Sequence, residues 1–115
     1  MPAINFKKQF AELVESEEKR QTIRPLRKCP IKPGETLLLY TGMRTKQCRK
    51  LKEVVCKNVS PIVVGPRWIR LNGEVLEDEE MFKMARRDGF RRTLDFFNFF
   101  RKQYSLPFHG VLIQW

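Results

Sequence analysis

One hairpin signal constrains the fold of this chain more than any other feature. Residues 68–71 and 74–76 both read as short strands, and only Asn72 and Gly73 separate them. Asn-Gly supplies the two positive-φ positions of a type I′ turn, which joins neighbouring antiparallel strands. We therefore expect an antiparallel sheet built around this turn.

The rest of the chain alternates strand patterns with helical patterns. Residues 36–40 (Thr-Leu-Leu-Leu-Tyr) lie between turn signals and are too short for a helix, so they predict a buried strand. Residues 48–64 are rich in β-branched side chains and predict one long bent strand or two. Helices are predicted at residues 7–17, from residue 77 to Gly89, and from Thr93, where a Phe-rich stripe is expected to face the core. This order predicts an α+β domain, a small closed or nearly closed β-barrel of five or six mostly antiparallel strands with inserted helices.

Length and composition indicate one domain, residues 1–115, that is 42% hydrophobic. No apolar run reaches the roughly 18 residues of a membrane span, and the N-terminus does not resemble a secretory signal, so we expect a cytoplasmic protein without a membrane partner. The three cysteines are odd in number, and with His109 they lack the short spacing of a zinc site. We expect reduced thiols, no metal and no cofactor.

Positive charge is concentrated in the first half of the chain. Residues 19–57 hold twelve Lys and Arg against two acidic residues, whereas residues 58–115 hold nine against seven. Such a field attracts polyanions, although charge runs are often only solvated surface. The predicted nucleic-acid-binding residues come from this region: Arg20, Arg24, Arg27, Lys28, Arg44, Lys46, Arg49 and Lys50.

The most chemically suggestive stretch within this region contains Lys19, Thr22 and Arg24. In a strand, Thr22 and Arg24 share a face with Arg20, and Lys19 lies at the bend before them. A hydroxyl beside an amine is the minimum apparatus of a base-activated nucleophile, provided that the amine is neutral near pH 7. The alternative is an ordinary strand with a solvated Lys and Arg. We expect neither Lys19 nor Thr22 to lie in the core.

Two separated blocks resemble one family. The run Glu-Glu-Lys-Arg-Gln-Thr-Ile-Arg at residues 17–24 resembles the Gly-x-Lys-x-x-Thr-x-Arg signature of the ASCH domain, a PUA-like β-barrel family. Ala-Arg-Arg-Asp-Gly-Phe at residues 85–90, followed by a Phe-rich helix, is similar to the second block of that family. Glu17 replaces the Gly of the signature, so a positive φ is not expected before Lys19.

The resemblance implies a cleft used on RNA or modified nucleosides. Some ASCH members are amidohydrolases that remove the acetyl group of acetylcytidine with a Lys, a Thr and a carboxylate, which correspond to Lys19, Thr22 and Asp88. Asp88 is one methylene shorter than the Glu of those hydrolases. Two functions follow as alternatives: a hydrolase of an acyl amide with a Lys-Thr-Asp catalytic site, or a non-catalytic module that binds RNA or single-stranded nucleic acid. The sequence does not determine the oligomeric state.

Overall fold

The computed structural model describes all residues from Met1 to Trp115, which form eight strands and three helices. In chain order they are β1 (Ala3–Phe6), α1 (Lys8–Glu15), β2 (Gln21–Pro25), β3 (Thr36–Thr41), β4 (Arg49–Val55), β5 (Asn58–Val64), β6 (Ile69–Leu71), β7 (Glu74–Val75), α2 (Asp78–Arg87), α3 (Thr93–Gln103) and β8 (Phe108–Gln114). No helix of this fold has the length and apolar character needed to cross a bilayer.

The strands form two sheets, and the sheets do not close into a barrel. One sheet has the order β2-β8-β5-β6-β7 with antiparallel neighbours throughout, and the other has the order β1-β3-β4, in which β1 and β3 run parallel. The α+β class and the mostly antiparallel pairing are confirmed. The predictions of five or six strands and of a closed or nearly closed barrel are wrong, because no ladder of hydrogen bonds joins one sheet to the other.

The division occurs at two adjacent residues between β4 and β5. The N–H of Cys56 donates to the carbonyl of Glu35 at 2.8 Å, beside the β3–β4 pair. The next N–H, that of Lys57, donates to the carbonyl of Gln114 at 2.8 Å and thus begins the pairing with β8. The long β-branched run is therefore two strands that belong to different sheets. Its composition is the same on both sides of the break, so the pattern alone does not reveal the change of partner.

The core is contributed by both sheets and all three helices. Leu37 and Leu39 of β3 are completely buried. The Phe-rich stripe of α3 is core as predicted for Phe96, Phe97 and Phe100, each at most 5% exposed. Burying a large apolar side chain of this kind stabilises a fold by about 1.5–3 kcal/mol.

Two predicted turns are confirmed by their backbone angles. Asn72 and Gly73 have φ of 52° and 83° and connect the antiparallel strands β6 and β7. Gly89 follows α2 with φ of 101°, and the N–H of Phe90 returns to the carbonyl of Ala85 at 2.9 Å. This left-handed residue ends α2 and fixes the position of Asp88, which immediately precedes it.

The turn before Lys19 differs from the expectation. Glu17 has φ of 69°, so a residue with a side chain occupies the left-handed conformation that the Gly of the signature would favour. Its N–H donates to the carbonyl of Val14 at 3.2 Å, and its carboxylate accepts from Lys52 Nζ at 2.7 Å. The helix end α1 therefore imposes the left-handed geometry, and the chain turns towards Lys19 without glycine.

Replacing Glu17 by Gly is expected to stabilise the protein, because a left-handed conformation costs a residue with a Cβ about 1–2 kcal/mol and costs Gly almost nothing. After the greater flexibility of Gly in the unfolded chain is subtracted, we expect a gain of about 0.5–1 kcal/mol in the free energy of unfolding, measured by urea denaturation. Glu17→Gln, which retains the strain and removes the charge, is the control. A Glu17→Gly variant less stable than this control would contradict the strain argument.

Candidate functional site

Lys19, Thr22 and Asp88 line one cavity of about 240 Å³, here called the central cavity. Lys19 follows the turn at Glu17, Thr22 lies in β2, and Asp88 lies at the C-terminal end of α2. All three are buried, with exposed fractions of 3%, 4% and 4%. The fold thus assembles residues almost seventy positions apart in the sequence, and the expectation that Lys19 and Thr22 lie outside the core is wrong.

A buried ion pair joins Lys19 to Asp88. Lys19 Nζ donates to the backbone carbonyl of Asp88 at 2.6 Å and to its carboxylate Oδ1 at 3.2 Å. The ammonium also lies 4.9 Å from the ring centroid of Phe10 and 5.9 Å from that of Phe6. Two oxygens and two aromatic faces replace the water that this amine would have at the surface.

Burial shifts both members of this pair towards their neutral forms. Loss of water lowers the pKa of the Lys19 amine, and the neighbouring Asp88 carboxylate opposes this shift only in part. Burial raises the pKa of Asp88, while Lys19 and a hydrogen bond from Gln21 act in the opposite direction. Lys19 can therefore lose a proton more readily than an exposed lysine, which is the property that a general base in this cavity requires.

The Thr22 hydroxyl is held by Arg24. Arg24 Nε donates to Thr22 Oγ1 at 2.8 Å, so these two residues share a face of β2 as their spacing predicts. The Arg24 guanidinium lies 4.9 Å from the ring centroid of Phe6. Arg20 does not join them, because it precedes β2 and its Nε donates to the carbonyl of Trp115 at 3.3 Å. Lys19 hydrogen-bonds Asp88 and not Thr22 in this arrangement.

Gln21 is a site residue that the sequence reasoning missed. Its side chain is 2% exposed, and Nε2 donates to Asp88 Oδ1 and to Met84 Sδ, both at 3.3 Å. Its Oε1 is buried without a hydrogen-bond partner. A side-chain amide can present either a donor or an acceptor after rotation, so Gln21 can serve Asp88 in its ionised or its protonated form. The only signal in the sequence was a Gln in a strand, and that residue type is usually exposed.

Aromatic side chains form much of the cavity wall. Phe6, Phe10 and Phe100 are buried, whereas Phe99 and Tyr104 are partly exposed where they border the cavity. Aromatic faces are suited to stacking against a planar ring such as a nucleobase. A volume of about 240 Å³ is smaller than the roughly 300–1,000 Å³ of drug-sized pockets, so a single base with its substituent is the appropriate size of guest.

The eight residues predicted to bind nucleic acid divide into separate groups. Arg24, Arg27 and Arg44 line a second cavity of about 480 Å³, the Arg44 cavity. Arg49 is paired with Glu15 at 2.6 Å, and Lys50 with Glu53 at 3.7 Å, so acidic residues partly neutralise both cations. The other three lie elsewhere on the surface, and all are exposed: Arg20, Lys28 and Lys46.

No three His, Cys, Asp or Glu side chains come together as a set that could hold a metal ion. Cys29 and Cys48 are exposed and Cys56 is buried, and all three are free thiols. Burial raises the pKa of the Cys56 thiol, which makes that thiol less nucleophilic. The chemistry of the central cavity therefore belongs to Lys19, Thr22, Asp88 and the residues around them.

No family model matches this chain, and neither the curated proteins nor the solved structures contain a significant match to it. Membership of the ASCH family therefore stays a prediction that depends on the two sequence blocks.

Removing one member of the buried pair is expected to destabilise the fold by about 3–5 kcal/mol, because the other member is left without its partner. We expect this loss for Lys19→Met and for Asp88→Leu, measured by urea denaturation at pH 7. The double variant Lys19→Met/Asp88→Leu should lose much less than the sum of the two. Strictly additive losses would show that the two side chains do not stabilise one another.

Proposed function

We propose that this protein hydrolyses an acyl amide on the exocyclic amine of a nucleobase, with acetylcytidine, free or within RNA, as the model substrate. The observation that supports this best is the placement of Lys19, Thr22 and Asp88 around one aromatic-walled cavity of base size. The similarity of the two sequence blocks to ASCH amidohydrolases points to the same chemistry. No cofactor is needed for it.

In the proposed reaction, the Thr22 hydroxyl attacks the acyl carbonyl carbon while neutral Lys19 accepts the hydroxyl proton. The C–N bond then breaks, and the base leaves as a free amine after it takes a proton from Lys19 or from protonated Asp88. Water hydrolyses the resulting ester on Thr22 and releases the carboxylic acid. Lys19 Nζ must first turn from Asp88 towards Thr22, and both border the same cavity.

Arg24 and Asp88 have supporting roles in this proposal. The hydrogen bond from Arg24 Nε to Thr22 Oγ1 favours negative charge on that oxygen and so promotes the attack. The shorter side chain of Asp88, compared with Glu, is compatible with the site because the end of α2 itself reaches it. The backbone carbonyl of Asp88 is only 2.6 Å from Lys19 Nζ.

A second candidate function is a module that binds RNA or single-stranded nucleic acid and reads a base without chemistry. The observation that favours it is that Lys19 already bonds to Asp88 and Thr22 to Arg24, with no bond between Lys19 and Thr22. A fixed set of donors and acceptors of this kind suits recognition of the edge of a base.

The hydroxyl of Thr22 provides the decisive test. We expect Thr22→Val, which has nearly the same shape, to lower acetylcytidine turnover at least about 10³-fold, since the nucleophile is gone. Thr22→Ser should keep part of the activity, and Thr36→Val, a matched change in β3, should keep all of it. Liquid chromatography of acetylcytidine and cytidine measures the reaction. The rate should rise with pH through the lowered pKa of Lys19, because the neutral amine is the base.

Turnover that survives Thr22→Val would remove Thr22 as the nucleophile. A parent protein that binds acetylcytidine but converts neither the nucleoside nor an acetylated oligonucleotide would exclude the hydrolase and favour the base-reading module.

A further inference from the structure

The central cavity is the middle member of a row of three. It shares Asn5 and Arg24 with the Arg44 cavity on one side. On the other side it shares Lys7, Phe99 and Gln103 with a third cavity of about 760 Å³, here called the Arg91 cavity. Because neighbouring cavities have walls in common, they form one continuous groove over β1, β2 and α3.

Both ends of this groove are positively charged. Arg24, Arg27 and Arg44 line the Arg44 cavity, which has no acidic residue. Lys7, Arg91, Arg101 and Lys102 line the Arg91 cavity, whose one acidic residue, Asp95, is paired with Arg92 at 2.9 Å.

The cations of the groove differ from those of β4 in having no acidic partner. None of the seven Lys and Arg residues that line the two outer cavities forms an ion pair. On β4, by contrast, Arg49, Lys50 and Lys52 each have a carboxylate within 4 Å. Unpaired cations on each side of a base-sized aromatic cavity match the repeating chemistry of a single strand, in which phosphates alternate with bases.

We propose that a single-stranded RNA lies along this groove, with one base in the central cavity and the phosphates on its two sides held in the Arg44 and Arg91 cavities. This inference rests on the proposed function and specifies its substrate: a base within a strand, in preference to a free nucleoside. A strand presents its bases unpaired, so a base can enter the central cavity without the cost of opening a duplex.

The basic residues of the Arg91 cavity come from parts of the sequence whose charge is nearly balanced. Four acidic residues at 77–80 offset Arg91, Arg101 and Lys102 in the count for the second half of the chain. In the structure those acids lie at the first turn of α2, while Asp88, near which the groove passes, lies at its other end. The charge of the groove is therefore visible only after folding.

Three double variants that remove the same net charge test the proposal. Arg27→Ala/Arg44→Ala alters one end of the groove, Arg91→Ala/Lys102→Ala alters the other, and Arg49→Ala/Lys50→Ala on β4 is the matched control. The probe is a fluorescently labelled single-stranded RNA of about twelve nucleotides, long enough for sites of this class, and anisotropy is measured at several salt concentrations. Circular dichroism verifies that each variant is folded.

We expect each end variant to reduce the slope of log affinity against log salt by about one to one and a half units, since each lost phosphate contact on a single strand removes about 0.7. The control should change the slope by less than half of that, and acetylcytidine nucleoside should bind more weakly than an oligonucleotide that carries it. A control as damaging as the end variants, or an effect confined to one end, would overturn the proposal.

The outcome is separable from that of the proposed function. A parent without turnover, combined with sensitivity at both ends, would refute the hydrolase and leave the strand path intact. Turnover of the free nucleoside, combined with end variants that bind RNA as the parent does, would refute the strand path alone.

Discussion

The buried contact between Lys19 and Asp88 is the interaction on which the candidate site depends. It connects the turn after α1 to the end of α2, and it draws Gln21 and the aromatic wall around itself. Placing two ionisable groups in an apolar interior is costly, and a pair of well-packed apolar residues would often serve stability equally well. Retention of such a pair in a cavity therefore indicates a function for it, because perturbed ionisable groups are concentrated at functional sites.

The geometry around this pair also explains two departures from expectation. Glu17 adopts φ of 69° because the end of α1 requires a left-handed residue before Lys19, whatever the side chain. Asp88 is effective with a short side chain because Gly89 ends α2 and leaves the carbonyl of Asp88 directed at the amine. In both places a backbone turn performs the positioning that a comparison of side chains alone would assign to a different residue type.

Local signals in the sequence predict local structure well here. Asn72 and Gly73 announce their turn because few residue pairs tolerate two positive φ angles. The alternation of β2 predicts that Thr22 and Arg24 meet. Features that depend on distant partners were not predictable in the same way. The exchange of sheets at Cys56 depends on which strands supply the carbonyls, and the burial of Gln21 depends on α2 covering β2. Charge behaves similarly, since only folding separates the acids at the start of α2 from the cations of the groove.

The central claim is that the Lys19 amine is desolvated enough to act as a base. The most direct test is an NMR titration of the folded protein that follows the ¹³Cε and ¹⁵Nζ shifts of Lys19, with Lys83, which is half-exposed, as an internal reference. The account predicts that Lys19 titrates below its ordinary value of 10.5 and below Lys83. A Lys19 pKa at or above 10.5 would mean that the attraction of Asp88 outweighs burial, and the amine would then be a structural cation and not a base.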